Sequence, residues 1–125
     1  MSTIQVADQT FIAAAPARVG AVIDEPRKWR CWWPDLQLAV TENRGEQGVR
    51  WSVAGGLTGT MEIWLEPMLD GVILHYFLHA EPPSPVSDFR KALQLTRIRR
   101  VAGKTMAFEV KDEAEAGRLP GTAAS

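Results

Sequence analysis

The stretch TFIAAAPARVGAVIDEPRKWRCWWPDL, residues 10–36, closes one strand and predicts two short helices after it. The strand begins upstream, because apolar residues alternate loosely over residues 3–13. Pro16 suits the first turn of a helix, where its missing N–H would have no partner. Pro26 ends that helix, since the residue before a proline avoids the helical region. A second short helix is then predicted over residues 27–33.

Three of the five tryptophans of the chain lie in this second helix. Trp29 and Trp33 are four residues apart and share one helical face, so Trp32 must point elsewhere. One interpretation is packing, since an aromatic side chain buries about 150–250 Å². The other is that one or two of the rings line the mouth of a pocket, where an apolar body with one N–H donor suits an amphipathic ligand. The sequence leaves both interpretations open.

The rest of the chain predicts a sheet followed by a long helix. Four further strands are predicted at residues 36–43, 49–53, 58–66 and 72–80. The prolines of EPPSP, residues 81–85, end the sheet because proline cannot donate to a strand ladder. Residues 86–116 then have helical periodicity. Residues with this spacing include Ile98, Val101, Thr105 and Phe108. The order of elements predicts an α+β fold with the helices packed on one face of a single antiparallel sheet.

The composition is that of one ordinary globular domain. The chain has 125 residues and a net charge of −1, so no overall field would attract nucleic acid or an acidic membrane surface. The single cysteine, Cys31, excludes an internal disulfide and a cysteine-based zinc cluster. No apolar run approaches the ~20 residues that span a bilayer, and the first residues lack a signal-peptide pattern. We predict one domain over residues 1–117, a flexible tail over residues 118–125, no membrane insertion and a cytoplasmic location.

Four segments of the sequence carry a resemblance to a known superfamily. They are residues 10–36, GVRWSV at residues 48–53, GTMEIWLEPMLDGVILHYFL at residues 59–78 and FEVKDEAEAGR at residues 108–118. Together they resemble the helix-grip superfamily, also called SRPBCC, which includes START lipid-transfer domains, plant pathogenesis-related allergens and bacterial polyketide cyclase/dehydrase-like proteins. The resemblance implies a curved antiparallel sheet wrapped around a long C-terminal helix. The chain departs from the family pattern in length, because a middle hairpin of the sheet is missing or very short.

Members of this superfamily bind hydrophobic molecules such as lipids, sterols, hormones or polyketides, and some close aromatic rings. The resemblance therefore implies that this chain binds a hydrophobic or aromatic small molecule between the sheet and the C-terminal helix, without a cofactor. The residues expected to contact it are Trp29, Trp33, Met61, Ile63, Leu74, Tyr76 and Phe108. One alternative is a polyketide cyclase/dehydratase-like enzyme, in which Tyr76 or a pocket arginine polarises a carbonyl. The other is a non-catalytic module that dimerises and has no usable cavity.

The outer face of the sheet carries expectations of its own. His75 and His79 alternate with Tyr76, so they lie on that face, and their separation of about 13 Å is too large for one metal ion. We therefore predict no metal site. The large apolar residues expected on the same face are Trp64, Ile73 and Phe77. Their exposure predicts a homodimer through this face or through a free sheet edge. The sequence does not fix which face Trp51 occupies.

Overall fold

A computed structural model describes residues 3–116 of the chain. The elements in chain order are β1 (Ile4–Ile12), α1 (Pro16–Ile23), α2 (Pro26–Trp32), β2 (Leu36–Asn43), a 3-10 turn (Gly45–Gln47), β3 (Gly48–Gly55), β4 (Thr58–Met68), β5 (Gly71–Glu81) and α3 (Phe89–Ala114). Within these residues the strands form one antiparallel sheet in the order β1-β5-β4-β3-β2. The sheet, the two short helices after β1 and the long α3 confirm the predicted helix-grip fold. The predicted tail and the domain end at residue 117 lie outside the described residues.

Alternate side chains of each central strand point towards the helices and are buried there. The residues that face one another across neighbouring strands are Trp51 and Met61, Ile63 and Tyr76, and Leu65 and Leu74. Each of these six is at most 1% exposed. The sequence does not determine which face of the sheet Trp51 occupies, and the structure places it on the buried face. The reason is the register of β3 on β4, which sets Val49, Trp51 and Val53 together on the buried face.

Three helices cover the inner face of the sheet. Both α1 and α2 have a proline in the first turn. The sequence analysis predicts this for Pro16, whereas Pro26, which it takes as the end of the first helix, lies in the first turn of α2. The long helix α3 begins at Phe89, after Asp88, whose side chain accepts a hydrogen bond from the backbone N–H of Arg90 at 2.8 Å. This start is later than predicted, because the prolines at residues 82, 83 and 85 keep the preceding loop out of helical geometry.

The helix α3 lies along the edge strand β1. Its buried residues are Gly103, Met106, Ala107, Val110 and Ala114. Lys104 Nζ donates to the carbonyl of Gln9 at 3.1 Å, and Lys111 Nζ donates to the carbonyl of Phe11 at 3.0 Å. These two lysines satisfy carbonyl groups of an edge strand that would otherwise be open to pairing with another chain.

The opposite face of α3 is apolar and exposed. Ile98, Val101 and Phe108 are 51–58% exposed. Phe108, which the sequence analysis expects between the sheet and the helix, therefore lies on the wrong side of α3 to contact a ligand there. The reason is steric. Gly103 lies on the ring of Tyr76, where an added Cβ would come within 2.5 Å of Cε2. Only the face of α3 with small residues fits against the rings that fill the interior.

Candidate functional site

Four aromatic side chains meet between the sheet and the helices, and we call them the aromatic cluster: Trp29, Trp33, Trp51 and Tyr76. Trp33 stacks on Tyr76 with ring centroids 6.1 Å apart and planes inclined by 10°. Trp51 meets Trp33 edge to face at 5.6 Å and meets Trp29 in the same way at 5.1 Å. At such separations aromatic rings attract each other by about 0.5–1.5 kcal/mol beyond their burial.

The end of α2 sets the direction of the Trp33 ring. The last turn closes when the backbone N–H of Trp33 donates to the carbonyl of Trp29 at 2.9 Å. Pro34 comes next and disfavours helical geometry at Trp33. Trp33 accordingly has a non-helical backbone, with φ −134° and ψ 69°. Its side chain leaves the surface of α2 and reaches the buried face of the sheet.

The indole N–H groups around α2 differ in their partners. Trp29 Nε1 donates to a backbone carbonyl at the end of α1 at 2.7 Å, and Trp32 Nε1 donates to Glu109 Oε2 at 2.5 Å. Trp33 Nε1 and Trp51 Nε1 are buried, and no hydrogen-bond partner for them is found within residues 3–116. A buried donor without an acceptor costs about 1–3 kcal/mol. These two donors are therefore the unsatisfied polar groups of the aromatic cluster.

The Tyr76 hydroxyl is a third donor in the cluster. It donates to Met61 Sδ at 3.3 Å, and a thioether sulfur is a weak acceptor. Burial raises the pKa of Tyr76, and the nearby charge of Arg99 and the N–H of Trp33 offset only part of that effect. The Trp33 N–H thus lies near the Tyr76 oxygen without the geometry of a hydrogen bond. Tyr76 remains protonated at neutral pH, so it donates a hydrogen bond and does not act as a base.

An ion pair joins α3 to the loop before β2. Arg99 contacts Asp35 through two parallel hydrogen bonds, Nη1 to Oδ1 at 3.0 Å and Nη2 to Oδ2 at 2.5 Å. The carbonyl of Asp35 accepts a hydrogen bond from the N–H of Gly56 at 2.8 Å. A Cβ at Gly56 would come within 2.3 Å of Asp35 Oδ2, so the close approach requires glycine. Asp35 therefore holds together the α2–β2 loop, the β3–β4 turn and the N-terminal half of α3.

This ion pair predicts that stability depends on pH. The hydrogen bonds from Arg99 hold the pKa of Asp35 below its ordinary value, although partial burial acts in the opposite direction. A carboxyl group whose pKa is lower in the folded state stabilises that state at pH values above its unfolded-state pKa of about 4. This stabilisation is lost as the pH falls through the folded-state pKa. We expect Asp35→Asn to lower the free energy of unfolding by about 1 kcal/mol at neutral pH, as measured by urea denaturation.

The same measurement in acid provides the check. The difference between wild type and Asp35→Asn should shrink below about pH 4 and disappear once the wild-type carboxyl is protonated. Asp24→Asn, at an exposed aspartate, serves as the control and should show little difference at any pH. A difference for Asp35→Asn that stays constant from neutral to acidic pH would contradict the electrostatic origin of the effect.

The structure brings most of the predicted contact residues together. Those that are buried in one core are Trp29, Trp33, Met61, Ile63, Leu74 and Tyr76. The sequence analysis missed Trp51, Gly103 and Met106. For Trp51 a signal existed, because Val49, Trp51 and Val53 alternate in phase. Gly103 gave no signal, since a glycine in a helical pattern does not indicate which ring will lie against it.

Side chains occupy the space between the sheet and α3. Trp33, Trp51, Tyr76 and Met106 are at most 1% exposed. Open cavities of about 270, 350 and 270 Å³ lie, respectively, between α1 and the 3-10 turn, beside residues 82–88, and between α2 and α3. None of these three is lined by Trp33, Trp51 or Tyr76. A ligand can therefore reach the aromatic cluster only if side chains or part of α3 move.

The outer face of the sheet carries a stack of rings. His75 lies between Trp64 and Phe77, with ring centroids 4.5 and 6.2 Å away, and its Nε2 is 3.0 Å from Glu66 Oε1.

Across residues 3–116, no group of three or more His, Cys, Asp or Glu side chains is arranged to hold a metal ion. In the same part of the chain, no helix has the length and apolar character needed to cross a membrane.

Comparison with known proteins gives structural matches only. No family model matches the sequence, and no curated protein matches it. The Aha1 dimer from Colwellia psychrerythraea is 16% identical, covers 93% of this chain and 99% of its own, and has a TM-score of 0.65. The di-domain ARO/CYC protein StfQ from the steffimycin biosynthetic pathway is 16% identical over 90% of this chain and 51% of its own, with a TM-score of 0.67. A START superfamily protein from Mycobacterium smegmatis is 12% identical over 89% of this chain and 97% of its own, with a TM-score of 0.60.

These matches identify the fold. The chain has the helix-grip fold that START-like and ARO/CYC structures share, which confirms the resemblance found in the sequence. Because all three identities are low, the likeness extends to the fold and not to a ligand or a reaction.

Proposed function

We propose that this protein binds an aromatic or otherwise hydrophobic small molecule that carries a hydrogen-bond acceptor, at the aromatic cluster. The observation that carries this proposal is the pair of buried indole donors, Trp33 Nε1 and Trp51 Nε1, that have no acceptor within the described residues. The Tyr76 hydroxyl, whose present acceptor is a thioether, adds a third donor. A carbonyl or carboxylate oxygen among these three groups would remove an unfavourable term of about 1–3 kcal/mol for each donor that it satisfies.

The surroundings of the donors favour a flat ligand. The Trp33 and Tyr76 rings lie nearly parallel, and Ile63 and Leu74 provide apolar walls beside them. Apolar contact would supply most of the affinity, at about 25 cal/mol per Å² of buried surface. The few polar groups would set the orientation of the ligand, as is usual in small-molecule sites.

Entry would take place past the N-terminal half of α3. All fully buried residues of this helix fall at or after Gly103, and the apolar side chain of residues 89–102 that packs against the core is the partly buried Leu95. Such a segment opens at low free-energy cost. The Arg99–Asp35 ion pair would open with it. Met61 and Met106 border the cluster, and their unbranched side chains adopt other rotamers readily.

A ligand-binding experiment with matched compounds tests this proposal. Anthraquinone-2-sulfonate and anthracene-2-sulfonate have the same shape and charge, but only the first has ring carbonyls. We expect both to quench tryptophan fluorescence and Tyr76→Phe to weaken quinone binding roughly 2- to 12-fold, the loss of one hydrogen bond. Binding of anthracene-2-sulfonate should be unchanged in that variant, because its ring system has no carbonyl to accept a hydrogen bond from the hydroxyl, and the sulfonate is common to both compounds.

The controls separate the interior site from the surface. Trp64→Phe alters a partly exposed indole on the outer sheet face and should change neither affinity. Equal weakening of both compounds by Tyr76→Phe would contradict the proposed role of the hydroxyl. Absence of quenching by either compound, together with a native mass spectrum that shows no co-purified molecule, would overturn the proposal as a whole.

A cyclase-like reaction is the second candidate function. A buried, protonated Tyr76 is the type of donor that would polarise a substrate carbonyl, and the ARO/CYC likeness supports this possibility. The aromatic cluster itself holds one titratable side chain, Tyr76, and therefore supplies no separate base. Ring closure with loss of one water from a linear poly-β-carbonyl compound, detected by mass spectrometry, distinguishes this candidate from binding alone.

We also propose that the chain forms a homodimer. The structural neighbour from Colwellia psychrerythraea is described as a dimer, which supports self-association of this fold without indicating the surface involved.

A further inference from the structure

The outer face of α3 carries an apolar seam, formed by Ile98, Val101, Thr105 and Phe108. These residues are spaced three, four and three apart, which is the spacing of the contact positions in a coiled coil. They lie opposite the buried face of the helix, and the three apolar members are 51–58% exposed. A continuous apolar line of this kind is typical of a helix that packs against another helix.

The charges of α3 indicate what packs there. Residues 89–102 contain five basic residues and no acidic residue: Arg90, Lys91, Arg97, Arg99 and Arg100. Residues 109–113 contain Glu109, Asp112 and Glu113. Several of these groups already have partners within one copy: Lys111 contacts Glu115, Glu113 contacts Lys28, Glu109 accepts from Trp32, and Arg99 contacts Asp35. Asp112 is therefore the acidic group of this segment that we expect to face a second copy. Two copies of α3 in parallel would place the basic halves together, whereas antiparallel copies place Asp112 of each copy beside the basic half of the other.

We propose that a second copy of this chain covers the seam in an antiparallel α3–α3 pair. A twofold axis beside Gly103 places Ile98 level with Phe108 of the second copy and Val101 level with Thr105 of the second copy. The contact is self-complementary, as a twofold dimer requires. Asp112, four residues after Phe108, then lies level with Gln94 of the second copy, between the basic side chains of Arg90 and Arg97.

The outer sheet face is a weaker candidate for the same role. Its large side chains Phe11 and Trp64 are 38–39% exposed, less than those of the seam. Trp64 already stacks on His75, and His75 is bound to Glu66. The apolar surface of the outer sheet face is therefore partly covered by contacts within one copy. The apolar residues of the seam, by contrast, remain more than half exposed. A single pair of helices of about 39 Å gives a small interface, so the dimer is expected to dissociate on dilution.

Sedimentation velocity over a micromolar concentration series tests the proposal. We expect wild type to dimerise and Val101→Glu to raise the dissociation constant by more than about tenfold, because it places charge in the centre of the seam. Leu93→Glu is the matched control, since Leu93 is equally exposed on α3 but lies outside the seam, and it should dimerise as wild type does. Circular dichroism establishes that both variants remain folded.

Disulfide trapping tests the direction of the pairing. In a Cys31→Ser background, Val101→Cys and Thr105→Cys should cross-link to each other when mixed and oxidised, because antiparallel pairing brings these positions together. Preferential cross-linking of each variant with itself would indicate parallel helices and contradict the proposed geometry. A wild type that is monomeric at every concentration overturns the proposal. So does a dimer that survives Val101→Glu but is lost in Trp64→Glu, since that result assigns the interface to the sheet.

Discussion

Trp33→Ala is expected to lower the free energy of unfolding by about 3–5 kcal/mol, the range for truncation of a buried tryptophan. Trp33 contacts three other rings, those of Trp32, Trp51 and Tyr76, and it is 1% exposed. No neighbouring element can move into the volume of the lost ring without separating the others. Since small domains have about 5–15 kcal/mol of stability in total, the variant should be close to unfolding. Urea denaturation followed by circular dichroism measures the effect.

Trp64→Ala is the matched control for this change. It removes the same number of atoms, but Trp64 is 39% exposed and its loss leaves no closed cavity. We expect a cost of less than about 2 kcal/mol, mainly from lost stacking on His75. Similar costs for the two truncations would show that the aromatic cluster is not the centre of the core.

Gly103→Val is expected to lower the free energy of unfolding by at least about 2 kcal/mol. A Cβ at this position would come within 2.5 Å of Tyr76 Cε2 and 2.7 Å of Tyr76 Cδ2. The ring cannot retreat, because Trp33 is stacked against it. The substitution would improve the helix propensity of α3, since glycine is about 1 kcal/mol less favourable than alanine, so the expected loss reflects the clash.

A double-mutant cycle identifies the partner in that clash. Tyr76→Ala creates space where the valine side chain would lie, so the costs of Gly103→Val and Tyr76→Ala should be less than additive by at least about 1 kcal/mol. Ala102→Val, one residue earlier on a half-buried face of α3, provides the control for a β-branched residue in this helix and should cost only about 0.5 kcal/mol. Strict additivity of the two changes would show that Gly103 and Tyr76 are not in contact.

Much of the fold follows from local patterns in the chain. Alternating apolar residues predict all five strands, and Pro16 predicts where α1 begins. The same alternation places Met61, Ile63, Leu74 and Tyr76 on one buried face, which includes Tyr76 of the aromatic cluster. These predictions succeed because a period of two in a strand depends only on the strand itself.

The helix α3 shows where local patterns are insufficient. Its sequence contains two apolar lines, one through Ile98, Val101 and Phe108 and another through Met106 and Val110. Periodicity predicts the helix but gives no preference between the lines. The line through Met106 and Val110 faces inward, because Gly103 on the same face has no side chain and lies directly against the Tyr76 ring. The displacement of Phe108 from the site is a consequence of that choice.

The amino-acid sequence by itself determined the order of elements, the α+β class and the concentration of indole rings after α1, because each depends on neighbours in the chain. The tertiary structure alone shows that Trp29 and Trp32 have acceptors, while the N–H groups of Trp33 and Trp51 have none among the residues that the structure describes. It also brings Arg99 to Asp35, 64 residues away. Hydrogen-bond partners and ion pairs of this kind depend on distances between remote segments, and only the packing of α3 on the sheet sets those distances.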